Sequence, residues 1–471
     1  VKLKDLVPIE DDSIVTGFAI DHRKVVAGNI FGAFRGAVVN GEDFIDGAVA
    51  HGASAVVARP AAKVEGAVHI AATEPRRRFA QLAARYYGPY PETVVAVTGT
   101  NGKTSTVEMT RQLWRMSGHR SASIGTLGVT TADDQVKTGL TTPDIVTFLN
   151  NVAGLERMGI THVAYEASSH GLDQYRAEGV PLKAVAFTNF SRDHLDYHAD
   201  MDNYFAAKMR LFDEVASDIS TAVIWADDSR SEAVIEHARR RGLPIMTVGT
   251  KGEDIALVAR NPTPLGQHLV LRHDGIEFRL NLPLIGAYQV NNVLTAAGLV
   301  LATGESWATT LAGMQRVAPV RGRLERAVIS RSGAPVYVDY AHTPDALEAA
   351  CAALRPHVEG KLITVFGAGG DRDTGKRAAM GAVAKAMSDL VIVTDDNPRS
   401  EDPAAIRKAI LQGAPDAIEI GDRRAAIAEA LARAGSGDII LLAGKGHETG
   451  QIVGNNVLAF DDGQVARECA S

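Results

Sequence analysis

Short apolar runs alternate with glycine turns over the first 90 positions: SIVTGFAI, GNIFGAF, SAVVARP and GAVHIAA. The spacing predicts a small α/β unit. RYYGPYPET (85–93) carries two prolines and a glycine and reads as a linker. The pattern then changes. VVAVT, starting at 94, is a continuous run of the kind that fills a strand buried on both faces. KTSTVEMTRQLWRMSG follows, with Met109, Leu113 and Met116 at helical spacing and Gly118 as a stop. THVAYEASSH (161–170), KAVAFTNF (183–190) and TAVIWADD (221–228) predict further buried strands that end in polar residues. A third unit begins near 319, with strands in APVYVDYA (334–341), KLITVFGAG (361–369), DLVIVTDD (389–396) and DIILLAG (438–444). Helical stretches such as KRAAMGAVAKAM and DRRAAIAEALARA lie between them. Strands alternating with helices predict parallel-rich, doubly wound sheets, whose ligands gather at the carboxyl ends of the strands. The predicted fold class is therefore α/β in three domains, 1–90, 91–318 and 319–471.

Composition narrows the class without naming a chemistry. At 471 residues the chain is too long for one ordinary core. Hydrophobic residues make up 46% and charged residues 22%, as in globular proteins, and a formal net charge of −7 argues against general binding of nucleic acid or anionic membranes. Cys351 and Cys469 form neither a disulfide framework nor a zinc spacing, which fits a reducing, cytoplasmic setting. The stretch VKLKDLVPIEDDS lacks the apolar core of a signal peptide. No apolar run approaches the ~18–20 residues that span a bilayer.

Candidate chemistry begins at TVVAVTGTNGKTST (93–106). A strand, a glycine turn, Lys-Thr and a helix follow one another, as in a nucleotide-phosphate cradle. Val97 stands where the full pattern has its first glycine, so Gly99, Thr100, Asn101, Gly102, Lys103, Thr104 and Ser105 form a compact variant. Backbone N–H groups and the helix N-terminus would face phosphate oxygens, Lys103 would neutralise β/γ charge, and Thr104 would bind Mg²⁺. Glu166 ends the VAYE strand, where an acid can hold Mg²⁺ or orient its water. TNFSRDHLDYH (188–198) packs Asp193, His194, Asp196 and His198 closely, but at no zinc spacing; oxygen ligands and Mg²⁺ suit it better, and His198 reads as structural. Lys208 lies in the amphipathic stretch NYFAAKMRLF, where a lysine is either solvated or, if buried, a neutral amine able to do chemistry. The guanine-reading Asn-Lys pair occurs nowhere, which excludes a GTPase switch. GAGGDRD (367–373) has Arg372 where a dinucleotide fingerprint needs glycine. No GxSxG or Cys–His nucleophile arrangement is present. Activation of one substrate and capture of another remains.

TGTNGKTS, EASSHGLDQYR, FTNFSRDHLDYH with Lys208 downstream, GRLE (322–325), VDYAHTPDAL (338–347), GAGGDRDTGKR (367–377), DDNPRSEDP (395–403) and GKGHE (444–448) occur in one order. Together they resemble the Mur ligases of peptidoglycan synthesis, over essentially the whole chain. The resemblance implies an N-terminal UDP-substrate-binding domain, a central ATPase domain and a C-terminal Rossmann-like domain that binds an amino acid. It implies that ATP phosphorylates the free γ-carboxylate of the D-glutamyl residue of UDP-N-acetylmuramoyl-L-Ala-D-Glu. An amine of meso-diaminopimelate then displaces phosphate to give an amide. Phosphorylation matters because oxide is a hopeless leaving group and phosphate is a good one. Two Mg²⁺ ions and Lys103 would spread the charge of the approaching anions.

The resemblance further implies that Thr104, Glu166 and His194 surround Mg²⁺, and that Lys208 is the family's carbamylated lysine, whose CO₂-derived carbamate is a metal-binding oxygen ligand. Thr141, Thr142, Ser168, Gln174 and Arg176 match positions that hold the UDP-muramyl dipeptide. Asn292, Arg323 and Asp339 match the nucleotide-contacting set, and His342 walls that pocket. Relatives often read Asp-Ser-Arg where this chain has Asp21-His22-Arg23, so the uridine contacts would use backbone groups or the imidazole. Arg372, Asp396, Asn397, Pro398, Arg399, Gly444 and Glu448 match the diaminopimelate pocket, with Glu448 suited to an ammonium. Diaminopimelate differs from lysine by a far carboxylate, and Arg399 can grip a carboxylate with a two-pronged fork. Lysine would leave that arginine unpaired, and discrimination of ~10⁴ is expected. A monomer acting on small molecules, in cell-wall biogenesis and hence cell shape and division, completes the expectation. The rivals are a lysine-adding ligase of the same family, a folylpolyglutamate-synthase-like ligase, and a non-catalytic ATP-binding regulator.

Overall fold

The computed structural model describes residues 1–36, 39–195 and 197–470. Its chain contacts divide it into two units. One comprises residues 1–255 and 294–310, the other 256–293 and 311–471.

In the first unit, the apolar runs of the N-terminal stretch form parallel strands in the order Gly17–Ala19, Asn29–Gly32, Ala55–Ala58 and Val68–Ala71. The helix Pro75–Tyr87 covers them with Phe79, Leu82 and Ala83. That helix corrects the linker expectation. Tyr86 and Tyr87 pack on Phe18 (ring centroids 5.5 and 6.1 Å apart), so the helix continues to Tyr87 and the break comes only at Gly88 and Pro89.

The larger sheet of this unit runs Gln135–Val136, Gly128–Thr130, Ser121–Gly125, His162–Glu166, Thr93–Thr98, Ala184–Phe187, Thr221–Trp225, Ile245–Gly249. Its central strands are parallel, and Thr93–Thr98 is buried along its whole length. Burial on both faces explains why these strands read as unbroken apolar runs rather than alternation. The expected strand at 161–170 ends at Glu166; Ser168 then caps the short helix Ser169–Asp173 by accepting a bond from Gly171 N.

In the second unit, strands Glu325–Ile329, Pro335–Asp339, Ile439–Ala443, Leu362–Phe366, Leu390–Val393 and Ile418–Glu419 form a sheet in that order, parallel apart from its first strand. Helices including Pro344–Leu354, Lys376–Met387 and Arg423–Arg433 cover it. An antiparallel meander, Ile255–Thr263, Gly266–His273 and Ile276–Leu282, is a feature that the strand–helix pattern did not predict. Among the described residues no helix is long and apolar enough to cross a membrane.

The chemistry-bearing motifs sit where a doubly wound sheet exposes them. Gly99 follows the strand Thr93–Thr98, and Glu166 and Asp339 end their strands. Asp396 and Gly444 lie just past Val393 and Ala443. All are carboxyl ends.

Candidate active site

The glycine loop is held by its neighbour across the sheet. Asn189 accepts from Asn101 N through Oδ1 (2.9 Å), donates back to Asn101 O through Nδ2 (3.0 Å), and takes Thr100 N on its own carbonyl (2.9 Å). Gly102, at φ +84°, turns the chain into the helix Lys103–Met116, and Ser105 is buried in its first turn. The helix N-terminus and its dipole present a positive end at this turn.

Two lysines converge on one carbonyl of this loop. Lys103 folds back to donate to Gly99 O (2.9 Å) and Thr100 O (2.8 Å). Lys208, from the helix Met201–Arg210, donates to the same Gly99 O at 2.7 Å and lies 4.4 Å from the centre of the Tyr204 ring. Lys208 is only 1% exposed. Burial first, and the charge of Lys103 second, hold its amine well below the ordinary lysine range, against the pull of Asp193. The solvated reading of this lysine is thereby excluded.

Glu166 is buried beside the loop. Its carboxylate accepts from Thr104 Oγ1 (3.0 Å), Thr126 N (2.7 Å) and Thr126 Oγ1 (3.3 Å). Its carbonyl accepts from Thr142 Oγ1 (2.8 Å), which is 3.0 Å from Ser168 Oγ; Thr141 reaches Thr126 at 3.1 Å. Arg176 Nη1 donates to Thr142 O (3.2 Å), and its Nε and Nη2 both donate to Gln174 Oε1. The five positions expected to hold the muramyl dipeptide thus form one connected network with the metal-side acid. Thr126 and Tyr197, which donates to Asp173 (2.6 Å) and accepts from Gln174 (3.0 Å), are members of it to which the motifs assigned no role, as with Asn189 at the glycine loop.

A Mg²⁺ ion takes oxygen ligands, and the buried Thr104 hydroxyl and Glu166 carboxylate, side by side, supply that donor type. Among the described residues no group of three or more His, Cys, Asp or Glu side chains is arranged to hold a metal ion. His194 has a left-handed backbone (φ +51°), a side chain 41% exposed, and a ring 5.9 Å from that of Tyr204. His198 is buried against Tyr204 at 5.2 Å, as a structural histidine would be. Asp196 lies outside the described residues. At the N-terminal end, Arg23 grips Asp21 with two bonds (2.9 and 2.8 Å), while the His22 ring stacks flat on Phe44 at 4.6 Å. The imidazole is therefore already engaged on one face.

In the second unit, Asn292 donates to Gln289 Oε1 (3.1 Å), whose amide donates to Arg323 O (2.9 Å). Asp339 accepts from Leu324 N (2.8 Å) and Ala341 N (2.9 Å); burial raises its carboxyl and Arg323 opposes the rise. The Arg323 guanidinium lies 5.1 Å from the Tyr340 ring centre, and His342 Nδ1 bonds Tyr340 O (2.8 Å); burial lowers the imidazole. These four expected residues form one cluster.

The DNPR turn lies beside GKGHE in the same unit. Asn397 donates to Glu448 Oε2 (2.8 Å), and Arg399 Nη1 donates to Gly370 O (2.8 Å). Arg399 itself has a left-handed backbone (φ +55°) and is tied by main-chain bonds to the hairpin strand Gly450–Val453: its N–H donates to Ile452 O (3.0 Å) and its carbonyl accepts from Gly454 N (2.7 Å). Arg372 is exposed on the loop after Phe366. Gly444 (φ +110°) passes so close to Asp396 that a Cβ would stand 2.5 Å from Oδ2. Gly444→Ala is therefore expected to destabilise this unit by about 1–3 kcal/mol, read as a shift in its chemical denaturation.

Family models cover the chain in order. The Mur ligase family catalytic domain matches residues 14–87, the Mur ligase middle domain 97–300, and the Mur ligase glutamate ligase domain 322–446. The UDP-N-acetylmuramoyl-L-alanyl-D-glutamate–2,6-diaminopimelate ligase of Zymomonas mobilis is 58% identical over 467 residues, spanning 98% of this chain and 96% of that one. The chain belongs to the Mur ligase family. The ligase of the same name from Caulobacter vibrioides is 50% identical over 98% of this chain and 97% of its own. A solved structure of a Mur ligase so named superposes with a TM-score of 0.78 at 32% identity, covering 100% of this chain and 98% of that one. The three α/β domains expected from the motifs are those of the Mur ligase fold.

Proposed function

We propose that this protein is the ATP-dependent ligase that joins meso-diaminopimelate to the D-glutamyl γ-carboxylate of UDP-N-acetylmuramoyl-L-Ala-D-Glu, in peptidoglycan precursor synthesis. The observation that carries this reading is 58% identity, over nearly the full length of both chains, to a relative bearing that name. The local setting of DNPR and GKGHE supports it.

The γ-phosphoryl group of ATP passes to a carboxylate oxygen of the glutamyl residue, releasing ADP. The amine nitrogen then bonds to the acyl carbon, the carbon–oxygen bond to phosphate breaks, and a proton leaves the nitrogen. Gly99 to Ser105 seat the phosphates, and Lys103 leaves its loop carbonyls to meet their negative charge. Thr104, Glu166, His194 and Lys208, the last as N6-carboxylysine, would hold Mg²⁺, which supplies charge neutralisation at the phosphates. The neutral form of an amine is the one that adds CO₂, and the burial of Lys208 shifts its balance toward that form. Thr141, Thr142, Ser168, Gln174 and Arg176 orient the muramyl peptide. Asn292, Arg323 and Asp339 serve the nucleotide, beside His342. Arg372, Asp396, Asn397, Pro398, Arg399, Gly444 and Glu448 take the amino acid: arginine forks read carboxylates and Glu448 reads an ammonium. We further read the domains as 1–90, 91–318 and 319–471, and the protein as a cytoplasmic monomer.

The test is phosphate release with ATP, Mg²⁺ and UDP-N-acetylmuramoyl-L-Ala-D-Glu, comparing meso-diaminopimelate with L-lysine. Release with diaminopimelate, at least ~10⁴-fold preferred in kcat/KM, is the expected result. Preference for lysine would keep the ligase and overturn the specificity. Silence with both would overturn the reading.

A further inference from the structure

Lys445 carries a charge to which the reading above gives no task. It follows the strand Ile439–Ala443 by two residues, and its side chain is 0% exposed. Its ammonium donates to Asn397 Oδ1 at 3.1 Å and to Glu448 Oε2 at 3.3 Å, and it stands 3.6 Å from Asp396 Oδ1. All three neighbours are residues assigned above to the amino-acid substrate. An ammonium out of water is costly unless its partners are well placed, so this burial calls for a reason.

The hydrogen bonds supply one. Asn397 Oδ1 accepts from both Lys445 Nζ and Ile452 N (2.9 Å), which fixes the sense of the amide. Its Nδ2 must then face Glu448, and it bonds Oε2 at 2.8 Å. Glu448 Oε2 therefore takes two donors, while Oε1 takes none among the described residues on a side chain still 33% exposed. The neighbouring Arg423 is spent on Asp462, which it grips at 2.7 and 2.6 Å in full burial, so it is Lys445 that bonds Asn397 and Glu448.

We propose that Lys445 is a positioning residue for the amino-acid substrate: it locks Asn397 and one oxygen of Glu448 so that Oε1 is presented to the substrate ammonium. This rests on the diaminopimelate reading of the pocket.

The test uses the full chain and steady-state phosphate release, with Lys445→Met, Lys445→Arg, Glu448→Gln and the double variant Lys445→Met/Glu448→Gln. Losing a charge-assisted hydrogen bond is expected to raise the KM for diaminopimelate by roughly 10- to 100-fold in Lys445→Met. The KM values for ATP and for the UDP-dipeptide should stay within about twofold of wild type, a split that general loss of structure would not produce. Lys445→Arg keeps the charge and should recover part of the loss. The double variant should be no worse than Glu448→Gln alone, because the lysine acts through that carboxylate. Equal shifts in all three KM values, a fall in kcat at unchanged KM, or additive losses in the double variant would each overturn the proposal. Should Lys445→Met fail to bind ATP, the double variant, which removes one charge of each sign, gives the same comparison against Glu448→Gln. A wild-type protein that is silent with diaminopimelate overturns the underlying reading and this proposal with it; an active wild type with unselective variants overturns the proposal alone.

Discussion

Lys208→Ala is expected to lower ligation by a factor on the order of 10²–10³, the range seen when one preorganised charge-stabilising group is removed, and short carboxylates such as acetate are expected to restore part of it. The lysine is almost wholly buried, and its amine shares the Gly99 carbonyl with Lys103. Two ammonium groups on one acceptor repel, so burial and repulsion act together to lower the proton affinity of Lys208 and favour its neutral form. A neutral amine can add CO₂ and lose a proton, which turns a cation into an oxygen ligand. Removing the side chain removes that ligand and opens space in which a small carboxylate can stand in. A second readout is independent of turnover: ¹³C from labelled bicarbonate should appear as a carbamate resonance in the wild type and not in Lys208→Ala. The signal should weaken as pH falls through the lowered folded-state value, because protonation consumes the free amine. Full turnover in the variant without any added carboxylate would remove Lys208 from the mechanism.

Arg399→Ala is expected to raise the KM for diaminopimelate by roughly 10- to 100-fold, from the ~1.5–3 kcal/mol of a hydrogen bond to a charged group. The KM for ATP should not change, and the preference over L-lysine should collapse. Arg399→Lys should recover little, because a point charge cannot reproduce the two-pronged grip. The geometry favours so specific an effect: the guanidinium is steadied by Gly370 O at 2.8 Å, and the main chain is bonded on both sides of its Cα to the neighbouring hairpin. Comparable small changes in the KM values for ATP and amino acid would argue that the arginine only supports the fold.

The phosphate cradle was legible because its information is local. A buried strand, a glycine turn, Lys103-Thr104 and a helix need no distant partner to be recognised. The strand-end acids were legible for a related reason, since a parallel sheet brings its carboxyl ends together. What the sequence left open depended on neighbours far along the chain. The helix NYFAAKMRLF alone left Lys208 open between a solvated and a buried lysine, and only the family resemblance singled it out; folding sets it against Tyr204 and the Gly99 carbonyl. Asn189 lies inside a quoted motif but was given no role there, yet it holds the loop 88 residues away. Lys445 sat inside a recognised motif, but only its neighbours Gly444 and Glu448 matched pocket positions of the family, so the lysine went unassigned. The meander over 255–282 was missed although IEFRLNL (276–282) alternates strictly between apolar and polar positions, the period of a half-buried strand. The linker was misjudged from its prolines and glycine, whereas two tyrosines packing on Phe18 extended the helix.

The hairpin behind Arg399 bears on how this specificity could change over evolutionary time. Arg399 owes its aim to a left-handed backbone that is bonded through both its N–H and its carbonyl to residues of another segment. Asn397 is bonded to that segment as well, through Ile452 N. On the proposed reading of Arg399, selectivity is the joint property of a four-residue turn and a hairpin some fifty positions later, two stretches that mutate separately. A drift from one diamino acid to another has to pass through both. Grafting the turn alone into a relative with a different hairpin should transfer the letters of the motif without its preference, whereas moving the two together should carry the preference across.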